Sequence, residues 1–383
     1  MNRLYVDNAA SQPLRVEAHE AMAEAAHVLN PAGQYASGRA ARSVLEDARE
    51  QIAELLGADA AEVIFTGSGT EANNIAVQGL AFGSKAKRGV SVIASADIEH
   101  PAVMESVAWL CEGPVDFGFT HERLEVDAPG RASLPTSEDL ALLTCMWANN
   151  ETGNIQPVQQ FSDYAQANGI PFHTDAVQAV GHLPVDFHQL GAATLAASAH
   201  KFGGPKSIGI LLARRDAHIL SPVRGGGQER KLRSGTVNVQ GAAGAAAALA
   251  SAYKNMEEEN ARMTAAREQV RAVAESIDDV RIWTNEPALP GHLHMSFPGA
   301  EGDSLIMLLD GAGVDASTGS ACSAGVNRAS HVLTAMGVDV SVARGALRLT
   351  FGPSITPEGA AELAAQLPRI VDQARLAGMA SGA

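Results

Sequence analysis

The fold is decided by Thr194-Leu195-Ala196-Ala197-Ser198-Ala199-His200-Lys201, a short apolar run that ends in polar residues. Short apolar runs alternating with helices predict an α/β fold whose mostly parallel sheet is covered by helices on both faces. Ligands of such sheets bind at the carboxyl ends of the strands, so the polar residues after each run are the first candidates for function. Similar runs occur at residues 63–66, 90–94, 142–146, 171–174 and 208–212.

A second lobe is expected, because 383 residues are more than one average domain contains. A long helical tract over residues 239–277 leads into it. The elements predicted for this lobe are strands at residues 294–297 and 347–351, a helix at residues 305–309 and a terminal helix.

Helix ends are signalled at several positions. An amphipathic helix is predicted over residues 44–56, with Ser43 as its N-cap and a glycine after its end. The terminal helix has Thr356 as N-cap and Pro357 at its first position. Pro368 is expected to kink or divide that helix, because proline cannot donate the backbone hydrogen bond.

Charge and composition exclude several classes of protein. The formal net charge of −15 offers no basic surface for a nucleic acid. The chain does not open with a basic segment followed by an apolar one, and no apolar run is long enough to span a membrane. These features predict a cytoplasmic protein.

The three cysteines are too scattered to predict a disulfide framework or a zinc site, and no metal site is expected. Cys111 and Cys145 have apolar neighbours, so both are predicted to be small core residues. Cys322 differs, because it lies in a run of small residues that cannot pack a core. Such a run predicts a mobile, exposed loop with an accessible thiol.

A glycine-rich turn, Gly67-Ser68-Gly69-Thr70, follows the first predicted strand and opens a helix. Glycine lets the backbone approach an anion, and the free N–H groups of a helix N-terminus carry partial positive charge. The turn is a candidate phosphate site. Taken alone, a plain connection between strand and helix is the commoner explanation.

Asp175 and Lys201 follow two later strands. An acidic residue and a lysine at neighbouring strand ends, with a phosphate site upstream, are what pyridoxal phosphate requires. The lysine would bind the cofactor covalently, and the carboxylate would keep the pyridine nitrogen protonated. Taken singly, Asp175 is as well explained as a helix cap and Lys201 as a surface lysine. His200 and the glycines after Lys201 favour a tight polar turn, where burial activates an amine.

The chain resembles the cysteine desulfurases of the class V aminotransferase superfamily, within the fold-type I group of pyridoxal-phosphate enzymes. The resemblance extends from Tyr5-Val6-Asp7-Asn8-Ala9-Ala10 to the last predicted strand. It rests on segments that match the family's motifs in order and approximate spacing: Phe65-Thr66-Gly67-Ser68-Gly69-Thr70-Glu71-Ala72-Asn73-Asn74, Glu99-His100, Asn149-Asn150-Glu151-Thr152-Gly153, His173-Thr174-Asp175-Ala176-Val177-Gln178, Ser198-Ala199-His200-Lys201 and Arg233-Ser234-Gly235-Thr236.

The resemblance implies a large cofactor-binding domain of residues 15–255 around a seven-stranded, mostly parallel sheet. Residues 1–14 and 256–383 would form a smaller α+β domain that carries the Cys322 loop. It also implies a homodimer, in which Thr236 reaches the phosphate of the partner subunit's cofactor.

Roles in the site are implied residue by residue. The phosphate would be held by Gly69, Thr70, Ser198 and His200. The ring would be held by Asp175 at its nitrogen, by Gln178 and Asn150 at its phenolic edge, and by His100 stacked on its face, with His100 also catalytic.

The implied reaction removes sulfur from L-cysteine. Lys201 would bind the cofactor and remove the Cα proton, while Asn150 and Arg348 would bind the substrate, the guanidinium clamping its carboxylate. Cys322, as thiolate, would attack the substrate sulfur and leave alanine and a persulfide. The sulfur would pass to an acceptor protein such as an iron–sulfur scaffold. A surface salt bridge is the alternative for Arg348, and a helix-start histidine is the alternative for His100.

Two segments depart from the family pattern: Asn30-Pro31-Ala32-Gly33-Gln34-Tyr35 and Ser11-Gln12-Pro13. Both are expected near the site entrance, where they affect substrate or partner preference. The competing functions are a selenocysteine lyase, an aminotransferase, a kynureninase-like hydrolase, or a non-catalytic sulfur-trafficking scaffold that retains the fold. Cys322 favours the desulfurase, because transamination and C–C cleavage need no mobile thiol.

Overall fold

A computed structural model describes residues 3–319 and 329–381 of the chain. The helices are α1 Val16–Glu24, α2 Ala36–Leu55, α3 Gly69–Arg88, α4 Pro101–Glu112, α5 Val158–Ala167, α6 Phe187–Leu190, α7 Val239–Ala274, α8 Gly302–Gly311, α9 His331–Ala335, α10 Val340–Ala343 and α11 Pro357–Ser381. The strands are β1 Leu4–Tyr5, β2 Val63–Thr66, β3 Val92–Ala96, β4 Thr120–Leu124, β5 Leu140–Thr144, β6 Phe172–Asp175, β7 Thr194–Ser198, β8 Gly209–Ala213, β9 Arg281–Ile282, β10 His292–Ser296, β11 Val314–Asp315 and β12 Ala346–Thr350.

The central sheet has seven strands in the order β2-β8-β7-β6-β5-β3-β4. Along the order β7-β6-β5-β3-β4, each strand is parallel to the next. Strand β8 is antiparallel to both of its neighbours, β2 and β7. The predicted α/β fold with a mostly parallel sheet is confirmed. The predicted strands are all present within two residues of their expected ends. Sequence analysis missed β4, because this edge strand is the largely polar segment Thr-His-Glu-Arg-Leu and lacks the apolar run of a buried strand.

Helix α2 begins at Ala36, about two turns before the predicted N-cap, so Ser43 lies inside the helix. The added turns contain Gly38 and Ala41, both buried. A Cβ on Gly38 would lie 2.3 Å from the backbone oxygen of Gly33, so this glycine is needed for close packing. Small residues of this kind give no apolar periodicity, which is why the pattern begins only at Val44.

The second lobe contains a three-stranded antiparallel sheet in the order β12-β10-β9. Helix α11 packs against α7 and α8, and its N-cap is confirmed by a 3.1 Å hydrogen bond from Gly359 N–H to Thr356 Oγ1. Pro368 lies within α11 and does not divide it. The boundary between the two domains is predicted between residues 255 and 256. Helix α7 is continuous there, and the boundary remains a prediction. The first half of α7 packs against α1 and α2, and its second half contributes Met263 and Val270 to the core of this lobe.

Cys145 is fully buried, as predicted, whereas Cys111 is only half-buried at the edge of a smaller apolar cluster. Burial raises the pKa of the Cys111 thiol to about 11. Within the described ranges, no helix has the length and hydropathy needed to cross a membrane.

One buried ion pair ties the central sheet to α2. Arg49 lies on α2, and both oxygens of Glu229 accept hydrogen bonds of 2.8 Å from its guanidinium. Glu229 also accepts a 2.9 Å hydrogen bond from the N–H of Phe65 in β2. The side chain of Glu229 is only 1% exposed, so the guanidinium is the countercharge that this carboxylate requires.

We expect Arg49→Ala to lower the free energy of unfolding by about 3 kcal/mol, because removing one partner leaves a buried charge without compensation. The matched control is Arg123→Ala, which removes an ion pair with Asp97 whose side chains are 57% and 39% exposed. That change should cost less than about 1 kcal/mol. The urea midpoints of both variants measure the difference, and equal losses would contradict the assigned role of the buried pair.

Candidate active site

A cavity of about 460 Å³ lies where β5, β6 and β7 end. The carboxyl ends of parallel strands meet at one edge, so residues far apart in sequence converge there. The predicted site residues that line the cavity are Gly69, Thr70, His100, Asn150, Asp175, Gln178, Ser198, His200 and Lys201.

One end of the cavity is suited to an anion. Helix α3 begins there at Gly69, and the hydroxyl of Ser68 caps it by accepting a 3.1 Å hydrogen bond from Glu71 N–H. The N–H groups of a first helical turn have no partners within the helix. A Cβ on Gly69 would lie 2.9 Å from a methyl of Val177 and 3.2 Å from Cβ of Ser198, so a side chain at this position would crowd the anion site.

The cavity is also lined by the carboxylate of Asp175, the last residue of β6. Its Oδ1 accepts a 2.9 Å hydrogen bond from Val177 N–H, and its Oδ2 accepts one of 2.6 Å from the amide of Asn73. The side chain is buried, and each of its two oxygens accepts a hydrogen bond. Sequence reasoning gives Asn73 no role, although it follows Gly69 by one helical turn and so lies on the same face of α3.

Lys201 lies in the short 3₁₀ turn after β7. Its ammonium donates to the backbone oxygen of Ala9 and, at 3.1 Å, to that of Ala10. Burial, reinforced by the charge of Arg348, lowers the pKa of the amine to about 8. At neutral pH roughly a tenth of such amines are uncharged, against less than one in about a thousand for an ordinary lysine.

Two histidines face the same cavity in the neutral form. Burial lowers the pKa of His100, and burial together with the charges of Lys201 and Lys206 lowers that of His200 to about 4. His100 caps α4, where its Nδ1 accepts a 3.1 Å hydrogen bond from Ala102 N–H. The neutral ring of His100 therefore carries its proton on Nε2.

Arg348 extends from β12 in the second lobe toward this site. It donates a 2.8 Å hydrogen bond to the backbone oxygen of Asn150 and one of 2.7 Å to Asp7 Oδ1. No acceptor for its Nε is found in the part of the chain that the structure describes. The ion pair with Asp7 was not anticipated, because these residues are 341 positions apart in sequence.

Two predicted site residues, Thr236 and Cys322, are not among the described residues that line this cavity. Thr236 lines a different cavity of about 420 Å³, together with Asn30 and Gln228. Its predicted role in a partner's phosphate site remains a prediction. Cys322 lies outside the described residues.

The described flanks of the Cys322 segment lie beside the site. Ser317 and Arg348 exchange backbone hydrogen bonds of 2.7 and 3.3 Å. On the other side, the hydroxyl of Ser330 donates to Glu151, the neighbour of Asn150. The next residue, His331, donates a 3.1 Å hydrogen bond to the backbone oxygen of Glu99, the neighbour of His100.

The cavity fits pyridoxal phosphate. It offers the N–H groups of a helix N-terminus, a serine, a histidine, a carboxylate and a lysine of lowered pKa. The side-chain oxygen of Asn150 is buried without a hydrogen-bond partner among the described residues, so a polar ligand would satisfy it. Ser11, from a segment predicted to lie near the site entrance, also lines this cavity, as does Lys206, for which sequence analysis predicts no role.

The family model for aminotransferase class-V matches residues 4–363. An IscS-like cysteine desulfurase from Mycobacterium tuberculosis is 44% identical over 98% of this chain and 98% of its own length. The cysteine desulfurase NifS of Azotobacter vinelandii is 34% identical over 98% of this chain and 94% of its own length.

Solved structures agree. A NifS-like protein superimposes with a TM-score of 0.89 at 33% identity, covering 97% of this chain and all of the other. A structure of SspA in complex with cysteine superimposes with a TM-score of 0.77 at 30% identity, covering 92% of this chain and all of the other. The matches span nearly the whole chain, and the cavity retains the residues that carry the family's motifs; the chain therefore belongs to the cysteine desulfurase family of the class V aminotransferases.

Proposed function

We propose that this protein is a pyridoxal-phosphate-dependent cysteine desulfurase that converts L-cysteine to L-alanine and leaves the sulfur as a persulfide on Cys322. The observation that carries the proposal is the convergence of three features on one cavity. These are the N-terminus of α3, the carboxylate of Asp175 and the buried amine of Lys201. Neither a plain nucleotide site nor a simple hydrolase needs all three.

The cofactor would be held by Gly69, Thr70, Ser198 and His200 at its phosphate and by Asp175 at its ring nitrogen. Gln178 and Asn150 would hold its phenolic edge, and His100 would stack on its ring. Pyridoxal phosphate, when bound, supplies a ring that withdraws electrons from the substrate once the Cα proton leaves. Lys201 accepts that proton at Nζ, and its lowered pKa makes the neutral amine available near neutral pH.

Substrate recognition is assigned to Arg348 and Asn150. The guanidinium is fixed by Asn150 O and Asp7, so it is already oriented before substrate arrives. A guanidinium suits a carboxylate because it presents paired donors in one plane. The proton on Nε2 of His100 is a further donor in the same cavity.

Sulfur transfer is assigned to Cys322. Its thiolate forms a bond with the substrate sulfur while the substrate Cβ–S bond breaks. Cβ gains a proton, and Cα regains one from Lys201 Nζ, to complete alanine. One sulfur atom moves, and no external oxidant or reductant is required. The placement of the flanks beside Arg348 and Glu99 supports delivery of this thiol to the cavity.

The protein's surroundings are proposed on the same basis. We expect a cytoplasmic homodimer in which Thr236 reaches the phosphate site of the other subunit. The persulfide would pass to an acceptor protein, for example an iron–sulfur scaffold. The cysteine in the complex of the related SspA supports L-cysteine as substrate.

The first prediction concerns the attachment site. Lys201→Ala should lose the visible absorbance of the covalently bound cofactor and all alanine production, because the reactive amine is gone. Lys206→Ala is the matched control, since this lysine lines the same cavity, and it should keep the covalent link. Borohydride reduction followed by peptide mapping identifies the modified lysine, and a pyridoxyl group on Lys206 would refute the assignment.

The second prediction concerns the pH dependence of covalent cofactor loading. Covalent loading of cofactor-free protein should accelerate with rising pH and level off above about pH 8, because attachment requires the neutral amine and burial lowers the pKa of Lys201 to about 8. Below that pH the amine is protonated and unreactive. Absorbance after mixing with pyridoxal phosphate measures the rate. A rate that keeps rising to about pH 10, the range of an ordinary lysine, would contradict the lowered pKa.

The third prediction separates sulfur transfer from cofactor chemistry. Cys322→Ser should bind the cofactor and L-cysteine normally but lose alanine production at least about a hundredfold, since a hydroxyl is a poor nucleophile toward sulfur. Cys111→Ser is the control, because burial raises the pKa of that thiol to about 11 and keeps it unreactive. An assay of alanine and protein persulfide in both variants measures the loss of sulfur transfer. Near-normal alanine release by Cys322→Ser would contradict the role of Cys322 as sulfur acceptor and would favour a selenocysteine lyase.

A further inference from the structure

A chain of hydrogen bonds runs from Asp175 into the core of the sheet. Asp175 Oδ2 accepts a 2.6 Å hydrogen bond from Asn73 Nδ2, and Asn73 Oδ1 is 2.9 Å from His173 Nε2. His173 Nδ1 is in turn 2.8 Å from the hydroxyl of Thr194. All four side chains are at most 4% exposed, so water does not replace any of these contacts.

The direction of each bond is determined by chemistry. An ionised carboxylate only accepts, so the Asn73 amide nitrogen faces Asp175 and the amide oxygen faces His173. That oxygen also only accepts, so His173 carries its proton on Nε2. The unprotonated Nδ1 then accepts from the hydroxyl of Thr194. One imidazole tautomer and one amide orientation satisfy every member of the chain.

The chain does not conduct protons to Asp175. Burial lowers the pKa of His173 to about 3, so the imidazole stays neutral. The amide of Asn73, between the imidazole and the carboxylate, does not ionise. The links therefore orient the carboxylate without exchanging a proton with it.

The fold connects this chain to the phosphate end of the cavity. His173 and Asp175 are two residues apart on β6 and so point to the same face, and His173 pairs directly with Thr194 in the neighbouring strand. Asn73 lies on α3, one turn after Gly69. The same residue thus ties the helix that holds the phosphate to the strand that holds the carboxylate.

We propose that Asn73, His173 and Thr194 are positioning residues that hold the Asp175 carboxylate in a fixed orientation toward the cofactor ring, at a fixed separation from the phosphate site. This assignment rests on the proposed function, since it needs pyridoxal phosphate in the cavity. Asp175 also interacts electrostatically with Glu99, His100 and Lys201, which face it from other elements. The variants chosen for the test leave those three groups unchanged.

The test compares the affinity of cofactor-free variants for pyridoxal phosphate. His173→Asn retains an amide beside Thr194 but does not reach Asn73, and it should weaken binding about tenfold, or about 1.4 kcal/mol. His173→Gln places a donor near the Nε2 position and should restore most of that loss. Thr194→Val removes the hydroxyl that donates to His173 while nearly keeping the volume of the side chain. It should weaken the binding of pyridoxal phosphate several-fold.

The control is Thr174→Val. Thr174 is fully buried on the same strand, and its hydroxyl has no hydrogen-bond partner within the described residues. Cofactor affinity should therefore be unchanged. Tight binding of pyridoxal phosphate by His173→Asn would overturn the proposal, because the hydrogen-bond chain would then have no effect on cofactor affinity. Equal losses of affinity in Thr174→Val and Thr194→Val would also overturn it, because the loss would then come from core packing.

A second measurement does not depend on the cofactor. Nitrogen NMR of cofactor-free protein labelled at histidine should show His173 neutral with its proton on Nε2 throughout the neutral pH range, the signal being assigned by its loss in His173→Gln. A proton on Nδ1, or a charged ring, would overturn the chain. If wild-type protein failed to bind pyridoxal phosphate, the proposed function and the role toward the ring would fall, whereas the NMR result would still decide the bond directions.

Discussion

The parallel pairing of β6 with β7 is the constraint on which the site depends. Asp175 pairs with Ala196, and two residues later β7 ends and turns into the 3₁₀ segment that carries Lys201. Strands in parallel register end at the same edge, so the carboxylate and the amine face one cavity. A slip of one residue would turn Asp175 to the other face of the sheet and remove it from the site.

The N-terminal segment joins the two lobes at this edge. Ala9 N–H donates a 2.9 Å hydrogen bond to Thr350 Oγ1 in the small sheet, and the oxygen of Ala9 accepts from Lys201 and, at 3.0 Å, from Gln178. Residues that the proposal assigns to the cofactor are thereby attached to the strand that carries Arg348. Movement of one lobe relative to the other would disturb the lysine and the guanidinium together.

Burial controls the charges around the cavity. It lowers the pKa of His100, His200 and Lys201 and raises that of Glu99 to about 8, so the neutral forms of these groups are favoured. Asp7 Oδ1 lies 2.7 Å from the guanidinium of Arg348 and fixes its orientation. The site thus combines two histidines and a lysine of lowered pKa with a guanidinium that is held in place for a carboxylate.

The sequence by itself determined the alternation of strands and helices and the residue types at the strand ends, because apolar periodicity and end signals are local properties of the chain. It located Lys201, Asp175 and the α3 turn correctly at one edge. Only the tertiary structure decided the contact between Asn73 and Asp175, 102 positions apart, and that between Asp7 and Arg348. Neither contact leaves a local pattern, since each forms only when packing brings distant elements together and burial makes an unpaired polar group costly.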